Sequence, residues 1–522
     1  MSDILSSIQS ACSKALETTK ELSAELPGSK TTQALVVGAA VGTAVYFFFL
    51  KTRYRLPPGP FALPILGNIL DVADKKEPFY MKLKRWADEK YGPVILIYLG
   101  PFRCVTLNRL DVVTEAYIER GVDFTGRPQF HSMSVFSEGY NDILFASPNA
   151  AWKLQRKIAT KALRHYMKGQ HLEKVVHHVV TMVTDKMLAE ADAFDPSRYI
   201  GVLMFHIIET ICFGKMKDYD DPEILRLIWL LDVINEDLGL GFWEDALPLL
   251  KYFPTEKFRK FEKRMQEFLD YNYDRIDEHR KTFSENNIRD ITDSILLAQK
   301  EAEREESAEV MAMFTNTHVG QLVGNIFGGG VDTSRHTLQW CLGYMAGYPQ
   351  EQALVQAEID EVTGAHLPGE TDRAKLVYTE ATLYEAMRIA SVVPLGLPRE
   401  TLSDTSVGGY DIPKGTMVLV NQWALLNDPE QWENPEEFNP KRFIDEAGKL
   451  RSKLPSWLPF STGRRACVGE FVAKPQLLMI FACIMKRCKI SLPPGVVFDP
   501  NPKVASFLSH IPKPFQIVVT SR

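Results

Sequence analysis

The residues best able to do chemistry lie in Pro459-Phe460-Ser461-Thr462-Gly463-Arg464-Arg465-Ala466-Cys467-Val468-Gly469. Two glycines bracket a cysteine, four positions before it and two after it. Glycine accepts positive φ and lets backbone approach a bulky ligand. Arginines beside a cysteine favour thiolate over thiol and pair with carboxylates. A helical pattern follows from Glu470 to Lys486. A cysteine just before a helix N-terminus has its negative charge further stabilised. The chemistry on offer is that of a thiolate. Taken alone, the loop is better explained by a buried structural cysteine.

A second group sits in an apolar helical pattern from Gln321 to Gly347, with Val323, Ile326, Phe327, Val331, Leu338 and Leu342 at helical spacing. Its middle reads Gly328-Gly329-Gly330-Val331-Asp332-Thr333-Ser334. Each helical glycine costs about 1 kcal/mol relative to alanine. A flat ligand lying close to the backbone is one reason to carry three. An acid beside a hydroxyl can relay protons. The alternative is a helix break or an Asp-capped turn. No G-K-[ST] follows, so this is not a phosphate loop.

Glu385 and Arg388 are three apart in a helical pattern beginning near Lys375, on one face. Such a pair is commonly a surface pair worth under about 1 kcal/mol. Trp152 and Arg156 are four apart, which suits a plain cation–π pair.

Together these motifs resemble the cytochrome P450 superfamily, the haem-thiolate monooxygenases. The pattern F-x-x-G-x-R-x-C-x-G of its haem-ligand loop is matched at Phe460, Gly463, Arg465, Cys467 and Gly469. The pattern [A/G]-G-x-[D/E]-T-[T/S] is matched at Gly329, Gly330, Asp332, Thr333 and Ser334. E-x-x-R is matched at Glu385 and Arg388, and Phe438-Asn439-Pro440-Lys441-Arg442-Phe443 matches a later loop that supplies a second arginine. W-x-x-x-R is matched at Trp152 and Arg156.

The resemblance implies haem b (iron protoporphyrin IX) with Cys467 as axial iron ligand. It places Arg465, Trp152, Arg156 and Arg399 on the haem propionates. Thr333 is implied to stabilise dioxygen and Asp332 to help deliver protons. Glu385, Arg388 and Arg442 form a structural ion cluster. By family position the stretches 127–149 and 238–253 roof the substrate pocket. Val331, Val392, Val393, Leu395 and Gly396 line it, with Phe507 and Leu508 near its end, although each is nearly as well explained as plain core or surface loop. Lys474 stands where the family often has arginine. Pro475 falls inside the helix after the haem loop and predicts a kink. Lys153, Lys157, Lys161 and Arg164 form a basic stripe that reads as a dock for an acidic electron donor.

These side chains need a scaffold, and the pattern predicts a mainly α fold with a minor β portion. Val94 to Leu107, turning at Gly100-Pro101, reads as a β-hairpin. Helical patterns dominate from about 150 to 390, and the chain ends in β-like runs such as Phe515-Gln516-Ile517-Val518-Val519. The expected organisation is a leader over 1–33, a transmembrane anchor over 34–50, a basic, proline-rich hinge over 51–60 and a haem-binding domain over 61–522. Ala34 to Leu50 carries no charge, and Lys51, Arg53 and Arg55 follow it, which orients that end toward the cytosol. The leader shows apolar residues at Ile4, Ile8, Ala11, Ala15, Leu22 and Leu26, a spacing that suits an amphipathic helix and equally a solvated or frayed leader.

Composition narrows the rest. Apolar residues at 45% and charged residues at 24% exclude a disordered or polytopic chain. A net charge of −6 does not suit a nucleic-acid binder. Seven cysteines without a C-x-x-C pair support neither a disulfide framework nor a cysteine-rich zinc site.

The expected function is insertion of one atom of O2 into an apolar, steroid-like or xenobiotic substrate at the endoplasmic reticulum membrane. The text near Gly396-Leu397-Pro398-Arg399 and Asn421-Gln422-Trp423-Ala424-Leu425 resembles animal microsomal members, of the steroid 17-hydroxylase and xenobiotic-oxidising types. Electrons would come from NADPH through NADPH–cytochrome P450 reductase, with cytochrome b5 as a further candidate donor, because no flavin or NADPH motif is visible here. The alternatives are an isomerase or dehydratase on the same fold, which needs no reductase, and a non-catalytic haem- or lipid-binding membrane protein.

Overall fold

A computed structural model describes Gly38 and residues 54–63, 66–72, 76–167, 171–452, 454–503 and 509–522. The expected leader, anchor and residues 51–53 of the hinge lie outside the described residues, Gly38 apart, as do Phe507 and Leu508. Among the described residues, no helix is long and apolar enough to cross a membrane.

Helices dominate, as expected. The longer ones are α1 (Ala150–Met167), α2 (His171–Leu188), α3 (Ser197–Phe213), α4 (Pro222–Leu240), α5 (Glu256–Thr282), α6 (Ile291–Glu305), α7 (Asn316–Gly347), α8 (Pro349–Thr363), α9 (Val377–Ala390) and α10 (Glu470–Arg487). The centre of the molecule is α7, whose 32 residues span roughly 48 Å. Thr315 and His318 cap its start, with the Thr315 amide donating to His318 Nδ1 at 3.1 Å. Val319, Leu322, Val323, Phe327, Leu338 and Leu342 are fully buried. They pack against α3, α5, α9 and α10.

The glycine run does not break α7, so the helix-break alternative is excluded. Nor does Pro475 divide α10, which is one helix from Glu470 to Arg487.

The β portion sits to one side. Strands β1 (Val94–Leu99) and β2 (Phe102–Leu107) form the expected hairpin, with Gly100 at φ 60° in its turn. β3 is Arg399–Glu400, β4 Thr405–Val407, β5 Tyr410–Ile412 and β6 Met417–Val420. The main sheet runs β1-β2-β6-β3. β6 pairs parallel with β2 and antiparallel with β3, placing Arg399 opposite Val418. This register carries Arg399 to the edge of the helical core. β4 pairs with β5, while β7 (Cys488–Ser491) pairs with β8 (Val518–Ser521) near the C-terminus.

Candidate functional site

A cavity of about 960 Å³ lies between α7 and the 459–469 loop, roofed by α3, α4 and the stretch after Arg127. Five of the described cysteines (Cys104, Cys212, Cys341, Cys483 and Cys488) are buried, whereas Cys467 is exposed to the cavity. The loop is a tight hairpin in which the Cys467 amide donates to the Phe460 carbonyl at 3.0 Å. Gly463 takes φ 73°, and a Cβ there would stand 2.2 Å from the Tyr117 carbonyl oxygen. Gly463→Ala therefore displaces the loop, and we expect holoprotein yield to fall at least about tenfold, read as haem absorbance per protein.

Gly469 differs from this expectation. Its φ is −90°, and a Cβ there would make only an ordinary 3.8 Å contact with Cys467 Sγ. It begins α10, and its amide and that of Glu470 point at the sulfur. Burial pushes the Cys467 thiol up. Those two amides and the Arg156 guanidinium pull it back.

Across the cavity, Gly329 and Thr333 are exposed although α7 is otherwise a core helix. A Cβ on Gly329 would meet nothing within 4 Å, so this glycine borders open space. Gly330 has a packing reason instead, since its Cβ would lie 3.1 Å from Ile208 Cδ1. Thr333 Oγ1 donates to the Gly329 carbonyl at 2.7 Å. Asp332 is pushed up to about 6, chiefly by burial.

Four guanidinium groups converge on one end. Arg156 donates to the Ala466 carbonyl at 3.0 Å, and Arg399 to Ser461 Oγ at 3.2 Å and the Thr462 carbonyl at 2.8 Å. Arg127 donates to the carbonyls of Leu144, Leu397 and Pro398. Arg465 donates to those of Thr125, Ile143 and Ala146. Burial first, then mutual repulsion, drives Arg465 down to about 8 and Arg127 to about 9. Arg399 Nη1 is buried without a hydrogen-bond partner.

The nearby carboxylate, Asp142, is occupied by the amides of Leu144, Phe145 and Ala146. Such clustered cations call for a dianion. The two propionates of haem would satisfy that call, and Cys467 and the open space along Gly329 border the same cavity. The residues present fit the group.

A cytochrome P450 family model matches residues 57–519. This chain belongs to the cytochrome P450 family. It is 32% identical over 474 residues to cytochrome P450 1A5 of Gallus gallus, covering 87% of this chain and 88% of that one. It is 31% identical over 470 residues to cytochrome P450 1A1 of Rattus norvegicus, covering 87% and 88%. With cytochrome P450 1A1 of Chelon auratus it shares 33% over 504 residues, 92% of this chain and 95% of that one. The P450 is thus a monooxygenase, and its cofactor is haem.

In this P450, Trp152 is not among the residues that line the cavity. Its indole Nε1 donates to the Ile143 carbonyl at 3.2 Å. Its ring lies 4.1 Å from the Arg465 guanidinium carbon and 5.5 Å from that of Arg156, so it braces two of the arginines. Arg127 escaped the sequence reading as an individual site residue. Its only signal was an Arg-Pro pair opening the predicted roof.

Glu385 and Arg388 are fully buried and doubly bonded, at 2.7 and 2.9 Å, and Arg442 Nε joins Glu385 at 3.2 Å. Arg388 also donates to the carbonyls of Leu426 and Pro435 at 2.7 Å.

The basic stripe is partly neutralised, which the single-helix pattern did not show. Lys157 pairs with Glu305 and Glu306 at 3.1 and 2.8 Å, and Lys161 with Glu301 at 2.8 Å, at the end of α6. Only Lys153 and Arg164 of the four stand outside these pairs.

On the substrate side, Val392, Val393 and Gly396 line the cavity together with Phe460. Val331 does not. It is buried in the helical core, because it lies about half a turn round α7 from Gly329 and Thr333. Leu395 is likewise buried, in the smaller core beside the sheet.

Proposed function

We propose that this P450 oxidises apolar organic molecules of xenobiotic or steroid-like type, from the endoplasmic reticulum membrane, with electrons from NADPH through a separate reductase. The net reaction is RH + O2 + NADPH + H⁺ → ROH + H2O + NADP⁺. The observation that carries it is the placement of Cys467 and Thr333 on facing walls of one largely apolar cavity.

When bound, haem supplies the reduction and cleavage of dioxygen, which thiolate ligation favours. The chain's residues do the rest. Cys467 would hold the iron, while Arg127, Arg156, Arg399 and Arg465 would offer cations to the propionates. Phe136, Ile208, Ile211, Leu225 and Ile228 keep the substrate side apolar and exclude water. Asp332, whose carboxyl burial pushes up to about 6, holds a proton close to neutrality more readily than a free carboxyl does. Thr333 presents the adjacent hydroxyl. This acid–alcohol pair favours oxygen insertion over the isomerase or dehydratase alternative.

Thr333→Ala tests the reading. Product formed per NADPH consumed is expected to fall by roughly tenfold or more, with hydrogen peroxide released instead. Full coupling in the variant removes the proposed role. Screening steroids, fatty acids and planar aromatics for Soret shifts identifies the substrate class.

A further inference from the structure

The wall where α4 crosses α7 is apolar at Leu225, Ile228 and Leu231, but Asp232 and Asn235 interrupt it. These two are three apart and share a face, as are Asp332 and Arg335 on α7. The pairs meet crosswise. Arg335 Nη2 lies 2.6 Å from Asp232 Oδ1, and Asn235 Nδ2 donates to Asp332 Oδ2. The same Nη2 lies 3.1 Å from Asp332 Oδ1 and 3.4 Å from His336 Nε2. The Arg335 side chain is 11% exposed, and its stem runs past Gly201 of α3. α4 otherwise packs on α3 and α5.

We propose that Arg335 is a positioning residue that latches the roof helix α4 to α7, so that closing the cavity and orienting the Asp332 carboxyl beside Thr333 are one event. This deepens the monooxygenase reading and rests on it. Asp332 Oδ2 is taken by Asn235. Its Oδ1 faces Arg335 in an ion pair without hydrogen-bond geometry, which leaves that buried oxygen able to carry a proton.

The groups facing Asp332 have opposing effects. Arg335 lowers its carboxyl and Asp232 raises it. His336 is driven down to about 3 by burial and by Arg335, so it is neutral. From α3, Arg198 lines the same cavity and pairs with Asp220 at 3.7 Å.

The test uses holoenzyme without substrate. Amide hydrogen exchange across α4 is compared in wild type, Arg335→Met and Asp232→Asn. In parallel, the infrared C=O band of the protonated Asp332 carboxyl, identified by its loss in Asp332→Asn, is titrated. Both latch variants should exchange α4 amides about tenfold faster. The titration midpoint should move to higher pH in Arg335→Met, which loses a cation, and to lower pH in Asp232→Asn, which loses an anion. A merely structural defect gives no such opposite shifts.

Unchanged α4 exchange overturns the latch, and midpoints that stay put or move together overturn the positioning role. If Arg335→Met does not hold haem, Asp232→Asn breaks the same pair and decides both arms. An intact ferrous–CO Soret band in the variants keeps failure of the latch distinct from failure of the haem-thiolate reading.

Discussion

Cys467→Ala abolishes the red-shifted ferrous–CO Soret band and with it all NADPH-dependent oxidation. Cys467 differs from the buried Cys104, Cys212, Cys341, Cys483 and Cys488 in opening directly onto the cavity, with two backbone amides aimed at its sulfur. Those amides stabilise negative charge at a fixed point, which a methyl group does not reproduce. The arginine cluster is untouched, so some haem is expected to remain bound through its propionates, with the spectrum of a non-thiolate pigment. Optical spectra of the ferrous–CO form decide the matter. A band unchanged from wild type would falsify the ligand assignment.

Glu385→Gln is the second large effect. Glu385 Oε1 accepts from Arg388, Arg442 and the Asn439 amide, and Oε2 accepts from Arg388. A glutamine amide turns one acceptor into a donor facing guanidinium groups. Arg388, with 0% exposure, is then left charged and half-paired in the core. Breaking a buried pair in this way costs about 3–5 kcal/mol. The denaturant midpoint of holoprotein should fall accordingly. A loss under about 1 kcal/mol would show that the cluster behaves like an exposed pair.

The sequence was informative where the chemistry is local. The Cys467 loop, the glycine run before Asp332-Thr333 and the three-residue step from Glu385 to Arg388 each place their groups through backbone geometry over a few residues. The same holds for the β1–β2 hairpin and for α7, whose apolar spacing alone predicts a core helix.

Other features depended on what lies across a gap. Arg399 reaches the site through strand pairing with β6, and Arg127 through the bridge of Gly126 to Glu400 of β3. Trp152 braces arginines, and Lys157 and Lys161 find Glu305 and Glu301 of the distant α6. Val331 faces the core although its neighbours on either side border the cavity. The crossed pairs of Asp232–Arg335 and Asn235–Asp332 are invisible in either helix alone.

Spacing along a helix or loop determines which side chains share a face, and this chain's sequence did so for Cys467, for Asp332 and Thr333 and for the buried Glu–Arg step. The partner opposite that face is chosen by long-range packing of helices and strands, because burial and ion pairing are paid in free energy only when distant segments close around them. That is why the arginine cradle, the neutralised stripe and the α4–α7 latch belong to the tertiary structure.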